Sequence, residues 1–156
     1  MKLMQPALHK PTALIIDDDK DLSEAFAIAL DLVGFDTEII NDSTKAIERI
    51  SAHTPDLVTL DMQMPHLSGA EVLRLIRANE QIRRVRVILI TANERASATE
   101  EMERMADVIL IKPITFSQIK EIAARLVQPP DETAADMPST PANEPPSDTM
   151  PTLKTS

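Results

Sequence analysis

The sequence predicts an open, doubly wound α/β domain, a parallel sheet with helices on both faces. Three observations predict it. Short apolar runs of β type alternate strictly with segments of helical periodicity, five times between residues 11 and 127. The first, third, fourth and fifth runs are near-continuously apolar, as expected of strands buried on both sides. Right-handed crossovers between successive parallel strands then leave an open sheet as the economical topology.

Each element has its own signal. Thr12–Asp17 (TALIID) is a short β-type run that stops at acids. Asp19 is placed to cap a helix on which Leu22, Phe26, Ala29, Leu30 and Val33 recur at helical spacing, and Gly34 stops it. Phe35–Ile40 is a weaker strand. Ala46, Ile47 and Ile50 mark a short helix that ends before Pro55. Leu57–Asp61 (LVTLD) reads as a buried strand, and Ser68-x-x-Glu71 as a capping box opening a helix to about Asn79. Val85–Thr91 (VRVILIT) is strongly β-like. Ser97-x-x-Glu100 is a second capping box, for a helix to about Met105. Val108–Ile111 is a four-residue strand stopped by Lys112-Pro113. Thr115-x-x-Gln118 caps a last helix with Phe116, Ile119, Ile122, Ala123 and Leu126 on one face.

Composition narrows the function. The 156 residues carry a formal charge of −9, so a nucleic-acid backbone would meet a like-signed surface. Only three aromatic residues occur (Phe26, Phe35 and Phe116), which leaves no stacking platform for single strands. Without cysteine there is no disulfide, thiolate metal site or cysteine nucleophile, and a reducing, cytoplasmic setting fits. No apolar run is long enough to span a membrane, and Met1–Lys10 lacks the apolar middle of a secretory signal. Residues 1–10 read as an N-terminal extension and 11–127 as one domain. Residues 128–156 read as a disordered acidic tail, with seven of the 12 prolines and five acids against one lysine.

The chemistry gathers where strands end. In open α/β sheets ligands bind beyond the carboxyl ends of the strands. Asp17, Asp18 and Asp19 follow the first strand, Asp61 closes the third, Thr91 and Ala92 close the fourth, and Lys112 and Pro113 follow the fifth. Clustered carboxylates repel and raise one another's pKa unless a positive charge intervenes. Oxygen ligands without nearby His or Cys suit a hard divalent ion, and Mg²⁺ takes one or two carboxylates together with waters and phosphate oxygens. Asp18 and Asp61, with water-mediated help from Asp17, fit such a site. One carboxylate is then free as a nucleophile toward phosphorus, with Lys112 and Thr91 placed for phosphoryl oxygens. Each residue alone has a bland reading: Asp19 as a helix cap, Thr91 as structural, Lys112 as a solvated loop residue. Their joint placement on four strand ends favours chemistry. His9, His53 and His66 have no metal-ligand spacing and read as surface residues.

LIIDDD (Leu14–Asp19), LVTLDMQMPHLSG (Leu57–Gly69), VILITAN (Val87–Asn93) and ILIKPI (Ile109–Ile114) together resemble the receiver domain of two-component response regulators, of the single-domain chemotaxis type. The spacing Asp61, Pro65, Gly69 after a buried strand is the most specific part. The resemblance implies a flavodoxin-like (βα)5 fold with strand order 2-1-3-4-5. It implies Asp61 as phosphoacceptor and Asp17 and Asp18 as the acid pair. Mg²⁺ would sit on Asp18, Asp61 and the main-chain carbonyl of Gln63, with Thr91 and Lys112 at the phosphoryl group. It also implies a cis Lys112–Pro113 bond, a sensor histidine kinase or phosphotransfer protein as donor, and a monomer or a homodimer through the face of the fourth helix, fifth strand and fifth helix.

The sequence departs from the family pattern in places. Ile109 stands where an aromatic residue often couples to the threonine, and Met105-Ala106 where Gly-Ala is common; Met105 reads as a core gap-filler. Gln63 and Asn93 occupy positions that affect phosphate lifetime in the family. No output module is visible after Val127, so a downstream protein target is expected. Two other readings fit the sequence less well: a haloacid-dehalogenase-like phosphohydrolase, whose Asp-x-Asp-x-Thr/Val motif fails at Asp21, and a degenerate receiver used as a scaffold, disfavoured by the complete residue set.

Overall fold

The computed structural model describes residues 9–93, 95 and 99–127. In chain order the elements are β1 (Thr12–Ile16), α1 (Lys20–Leu32), β2 (Asp36–Ile40), a 3₁₀ turn (Ser43–Lys45), α2 (Ala46–Ala52), β3 (Leu57–Asp61), α3 (Gly69–Ala78), β4 (Arg86–Thr91), α4 (Glu100–Met105), β5 (Val108–Ile111) and α5 (Phe116–Val127). The five strands form one parallel sheet in the order β2-β1-β3-β4-β5, the expected doubly wound, flavodoxin-like fold.

Side chains alternate across this sheet with period two. Leu14, Ile16, Val58, Leu60, Val87 and Leu89 face Ile50, Leu73, Ile76 and Met102 of α2, α3 and α4. Ala13, Ile15, Ile88 and Ile90 face Phe26, Leu30, Ile119 and Ala123 of α1 and α5. With helices on both sides, β3 is buried at all five positions. Cutting Leu73, fully buried, to alanine would cost about 2–5 kcal/mol.

Local signals explain most boundaries. The Asp19 side chain accepts from the Leu22 amide, and Gly34 takes φ +95°, a turn conformation that costs glycine little. Ser68 and Glu71 close a capping box, and Thr115 and Gln118 bond reciprocally at the start of α5. Four expectations need correcting. Phe35 is buried but precedes β2, which begins at Asp36. The cap of α4 is Thr99, whose hydroxyl accepts from the Met102 amide; Ser97 lies outside the described residues. β5 is half-buried rather than enclosed, because it is an edge strand. Phe116 is 53% exposed and does not share the inner face of α5. The extension (except His9 and Lys10) and the acidic tail fall outside the described residues.

Candidate functional site

Two adjacent strands, β1 and β3, deliver the acids to one rim. β1 runs straight into Asp17 and Asp18, and β3 ends on Asp61 beside Ile90 of β4. One carboxylate oxygen from each of Asp17, Asp18 and Asp61 lies within 4.8 Å of the others. Asp17 and Asp61 are 2% and 4% exposed, while Asp18 is open to solvent. The Asp17 Oδ1 accepts the Asp19 amide at 2.9 Å, but its Oδ2 is buried without a hydrogen-bond partner, and so is Oδ1 of Asp61.

Lys112 supplies the positive charge. Its Nζ stands 3.3 Å from Asp61 Oδ1, in an ion pair with that buried oxygen. β4 and β5 hold it in register: Thr91 pairs with Ile111, and the Lys112 amide donates to the Thr91 carbonyl at 2.8 Å. The Lys112–Pro113 bond is cis, as the resemblance implied. Thr91 is fully buried, and its hydroxyl both donates to the Asn93 carbonyl and accepts from the Asn93 amide. Gln63 is exposed and follows β3 by two residues.

Burial is the main cause that pushes the Asp17 carboxyl up to about 6, with neighbouring Asp61 adding to the rise and the Asp19 amide opposing it. Burial likewise raises Asp61 above its ordinary range, although the Lys112 charge pulls the other way. Two buried carboxyls that resist ionisation, Asp17 with an unpartnered oxygen and Asp61 with Lys112 alone facing its buried Oδ1 among the described residues, are a costly arrangement unless a further cation completes it. The all-oxygen donor set fits a hard divalent ion such as Mg²⁺.

Residues outside the sequence reading frame this rim. Asn41, just past β2, donates from Nδ2 to the Asp17 carbonyl at 2.7 Å and to Ser23 Oγ at 3.1 Å. Ser23 donates in turn to the Asp19 carbonyl at 2.6 Å. Ser43 donates to the Pro65 carbonyl and accepts the Leu67 amide, pinning the loop after Asp61. In that loop His66 takes φ 70°. A Cβ on Gly69 would meet the Asp61 carbonyl oxygen at 2.2 Å, so the close approach of α3 to β3 requires glycine. The strand-end rule, applied to β2 as to the other strands, would have reached Asn41 and Ser43.

A flavodoxin-like sheet with three carboxylates, a threonine and a lysine gathered at its carboxyl rim belongs to the doubly wound α/β class that binds ligands at that rim. The family description "Response regulator receiver domain" matches residues 13–124. The chain belongs to that family, the receiver domains of two-component response regulators, whose general function is a phosphorylation switch. It is 34% identical over 123 residues to the DNA-binding response regulator MtrA of Mycobacterium tuberculosis (strain ATCC 25618 / H37Rv), covering 78% of this chain and 53% of that relative. It is 35% identical over 121 residues to the Transcriptional regulatory protein CpxR homolog of Haemophilus influenzae, covering 74% and 52%. The chain thus spans about half the length of the curated relatives it matches. Among solved structures, a putative LuxO repressor receiver domain from Vibrio parahaemolyticus aligns with TM-score 0.69 and 26% identity, over 76% of this chain and 90% of that one. A CheY-like receiver from Methylobacillus flagellatus, at 23% identity and TM-score 0.68 over 74% and 98%, shares the fold.

Proposed function

We propose that Asp61 accepts a phosphoryl group from a phosphohistidine of a sensor histidine kinase or phosphotransfer protein, in a reaction that depends on Mg²⁺. The carrying observation is the set of three converging carboxylates, with the buried Oδ2 of Asp17 unpartnered among the described residues and Lys112 3.3 Å from the buried Oδ1 of Asp61. A carboxylate oxygen of Asp61 attacks phosphorus. The P–N bond to the donor imidazole breaks, its electron pair staying on the ring, and an acyl phosphate remains on Asp61. Asp17, Asp18, Asp61 and the Gln63 carbonyl are the residues that would hold Mg²⁺, which supplies charge neutralisation at the transferring group. Lys112 shifts from Asp61 to a phosphoryl oxygen. Thr91 exchanges its bond to Asn93 for one to the phosphoryl group, drawing on the loop after β4. Ile109, half-buried against the core behind β5, offers no aromatic ring to that motion.

We assign the protein the role of a switch rather than a turnover enzyme, in the cytoplasm as is typical of response regulators. One domain spans 11–127, with 1–10 as extension and 128–156 as tail. We further propose that output passes through a protein contact, as a monomer or a dimer through the α4–β5–α5 face, and that the acidic surface does not bind nucleic acid directly. Among the described residues no helix is long and apolar enough to cross a membrane.

The test is mass measurement after incubation with acetyl phosphate or a phosphorylated kinase, with Mg²⁺. One labile phosphate is expected, absent in Asp61→Asn and after chelation. Failure with several donors would leave the scaffold reading standing, and multiple turnovers of phosphomonoesters would favour a phosphohydrolase.

A further inference from the structure

The opposite rim of the sheet carries a different charge. Five of the chain's nine arginines, Arg77, Arg83, Arg84, Arg86 and Arg104, line one cavity of about 340 Å³ together with Asp107. This lies at the start of β4, away from the acid cluster. Asp107 is already engaged: its carboxylate takes Arg77, Arg86 and the Val87 amide. The guanidinium groups of Arg83 and Arg84 make no ion pair or hydrogen bond among the described residues. Arg104 has only a loose ion pair with Glu100 at 3.9 Å, both strongly exposed, and a further charge contact with Glu101. A concentration of unmatched positive charge on a chain of net −9 calls for an anion.

The same place is where α5 ends. A second cavity of about 340 Å³ shares Arg84 and Arg86 with the first, and Leu126 and Val127 line it too. The next residues are Gln128-Pro129-Pro130-Asp131-Glu132, followed by Asp136, Glu144 and Asp148. At about 3.3 Å per residue, Asp131 reaches up to ~13 Å from Val127, which itself lines the cavity that holds Arg84 and Arg86. Residues 128–156 carry five acids and one lysine, the complement of the patch.

From this we infer that the acidic segment 128–148 docks in cis on the arginine surface of residues 77–86 and 104. Each exposed pair is weak. Tethering at Val127 nevertheless supplies an effective concentration in the millimolar range, so several weak pairs suffice to populate the contact. Attraction between exposed charges is screened, so occupancy falls as salt rises. The segment then shields the patch from other polyanions. This contact is independent of the phosphorylation reading, and either can fail alone.

The cysteine-free sequence allows a direct test on the full chain. A nitroxide on Ser139→Cys should broaden the amides of residues 83–86 and 104–107 in the ¹⁵N-labelled protein. Raising salt from ~0.05 to ~0.5 M, or introducing Arg83→Glu with Arg84→Glu, should reduce that enhancement at least about twofold. Because those two side chains hold no partner among the described residues, the variant keeps its fold, which its amide spectrum verifies. Equal broadening in the charge-reversed variant, broadening centred elsewhere, or none at the patch overturns the proposal. So does an effect seen only between spin-labelled and ¹⁵N-labelled molecules, which would assign the contact to a second copy.

Discussion

The two rims of the sheet solve opposite problems with the same residue types. At the amino-terminal rim of β4, Asp107 is fully served: Arg77 and Arg86 at 3.1 and 2.9 Å and the Val87 amide at 2.8 Å. Arg77 spends its remaining donors on the carbonyls of Met105, Arg83 and Val85. That network stitches the end of α3 to two loops and satisfies its own members, with the guanidinium groups of Arg83 and Arg84 lying outside it. At the carboxyl rim, Asp17 and Asp61 are more deeply buried, yet among the described residues Asp17 keeps an unpartnered oxygen, Lys112 alone faces the buried Oδ1 of Asp61, and burial raises both above the ordinary carboxylate range. A satisfied polar cluster reads as structure; one left unsatisfied by its own fold reads as a site waiting for a ligand.

The comparison predicts opposite signs for similar substitutions. The largest effect belongs to the satisfied rim. Asp107→Ala strands Arg77, which is 20% exposed, and frees the Val87 amide, so unfolding stability should drop by about 2–4 kcal/mol in urea titration. A loss below ~0.5 kcal/mol would show the network to be decoration.

Next comes the unsatisfied rim with its cation. At a Mg²⁺ concentration about 100 times Kd, linkage adds ~2.7 kcal/mol and raises Tm. Asp61→Asn should erase most of that gain. A Tm indifferent to millimolar Mg²⁺ in the wild type would break the comparison.

The third effect is a pH dependence in chelator-treated protein. The folded Asp17 carboxyl keeps its proton to about pH 6, against an ordinary 3.8. The native state therefore binds more protons in that window, and this stabilisation is complete below the unfolded pKa and lost as pH rises through about 6. It amounts to on the order of 2–3 kcal/mol from Asp17. Asp17→Asn should flatten the profile and stabilise the metal-free protein at pH 7; a variant less stable than wild type there would contradict the burial cost assigned to this carboxyl.

The smallest effect concerns the struts. Asn41→Ala or Ser43→Ala loosens the loops on either side of the acids, and Mg²⁺ affinity by calorimetry should weaken about tenfold, near 1.4 kcal/mol. Unchanged affinity in both would reduce them to loop fasteners.

The alternation of β-type and helical runs in the sequence determined the sheet and its layers, because period two and period 3.6 are local properties that survive without knowledge of the fold. The caps Asp19, Ser68 and Thr115 were equally local, since each partner lies three residues away. The acids, Thr91 and Lys112 were legible because strand ends in such a sheet must meet at one rim. Other features depended on residues far apart in sequence. Asn41 reaches Asp17 across 24 positions, and Gly69 is required by a carbonyl eight residues back. The half-burial of β5 followed from its edge position, which no periodicity encodes. Tertiary structure alone decided which polar atoms found partners, because satisfaction is a matter of ångströms between elements, and a sequence specifies only which groups will need one.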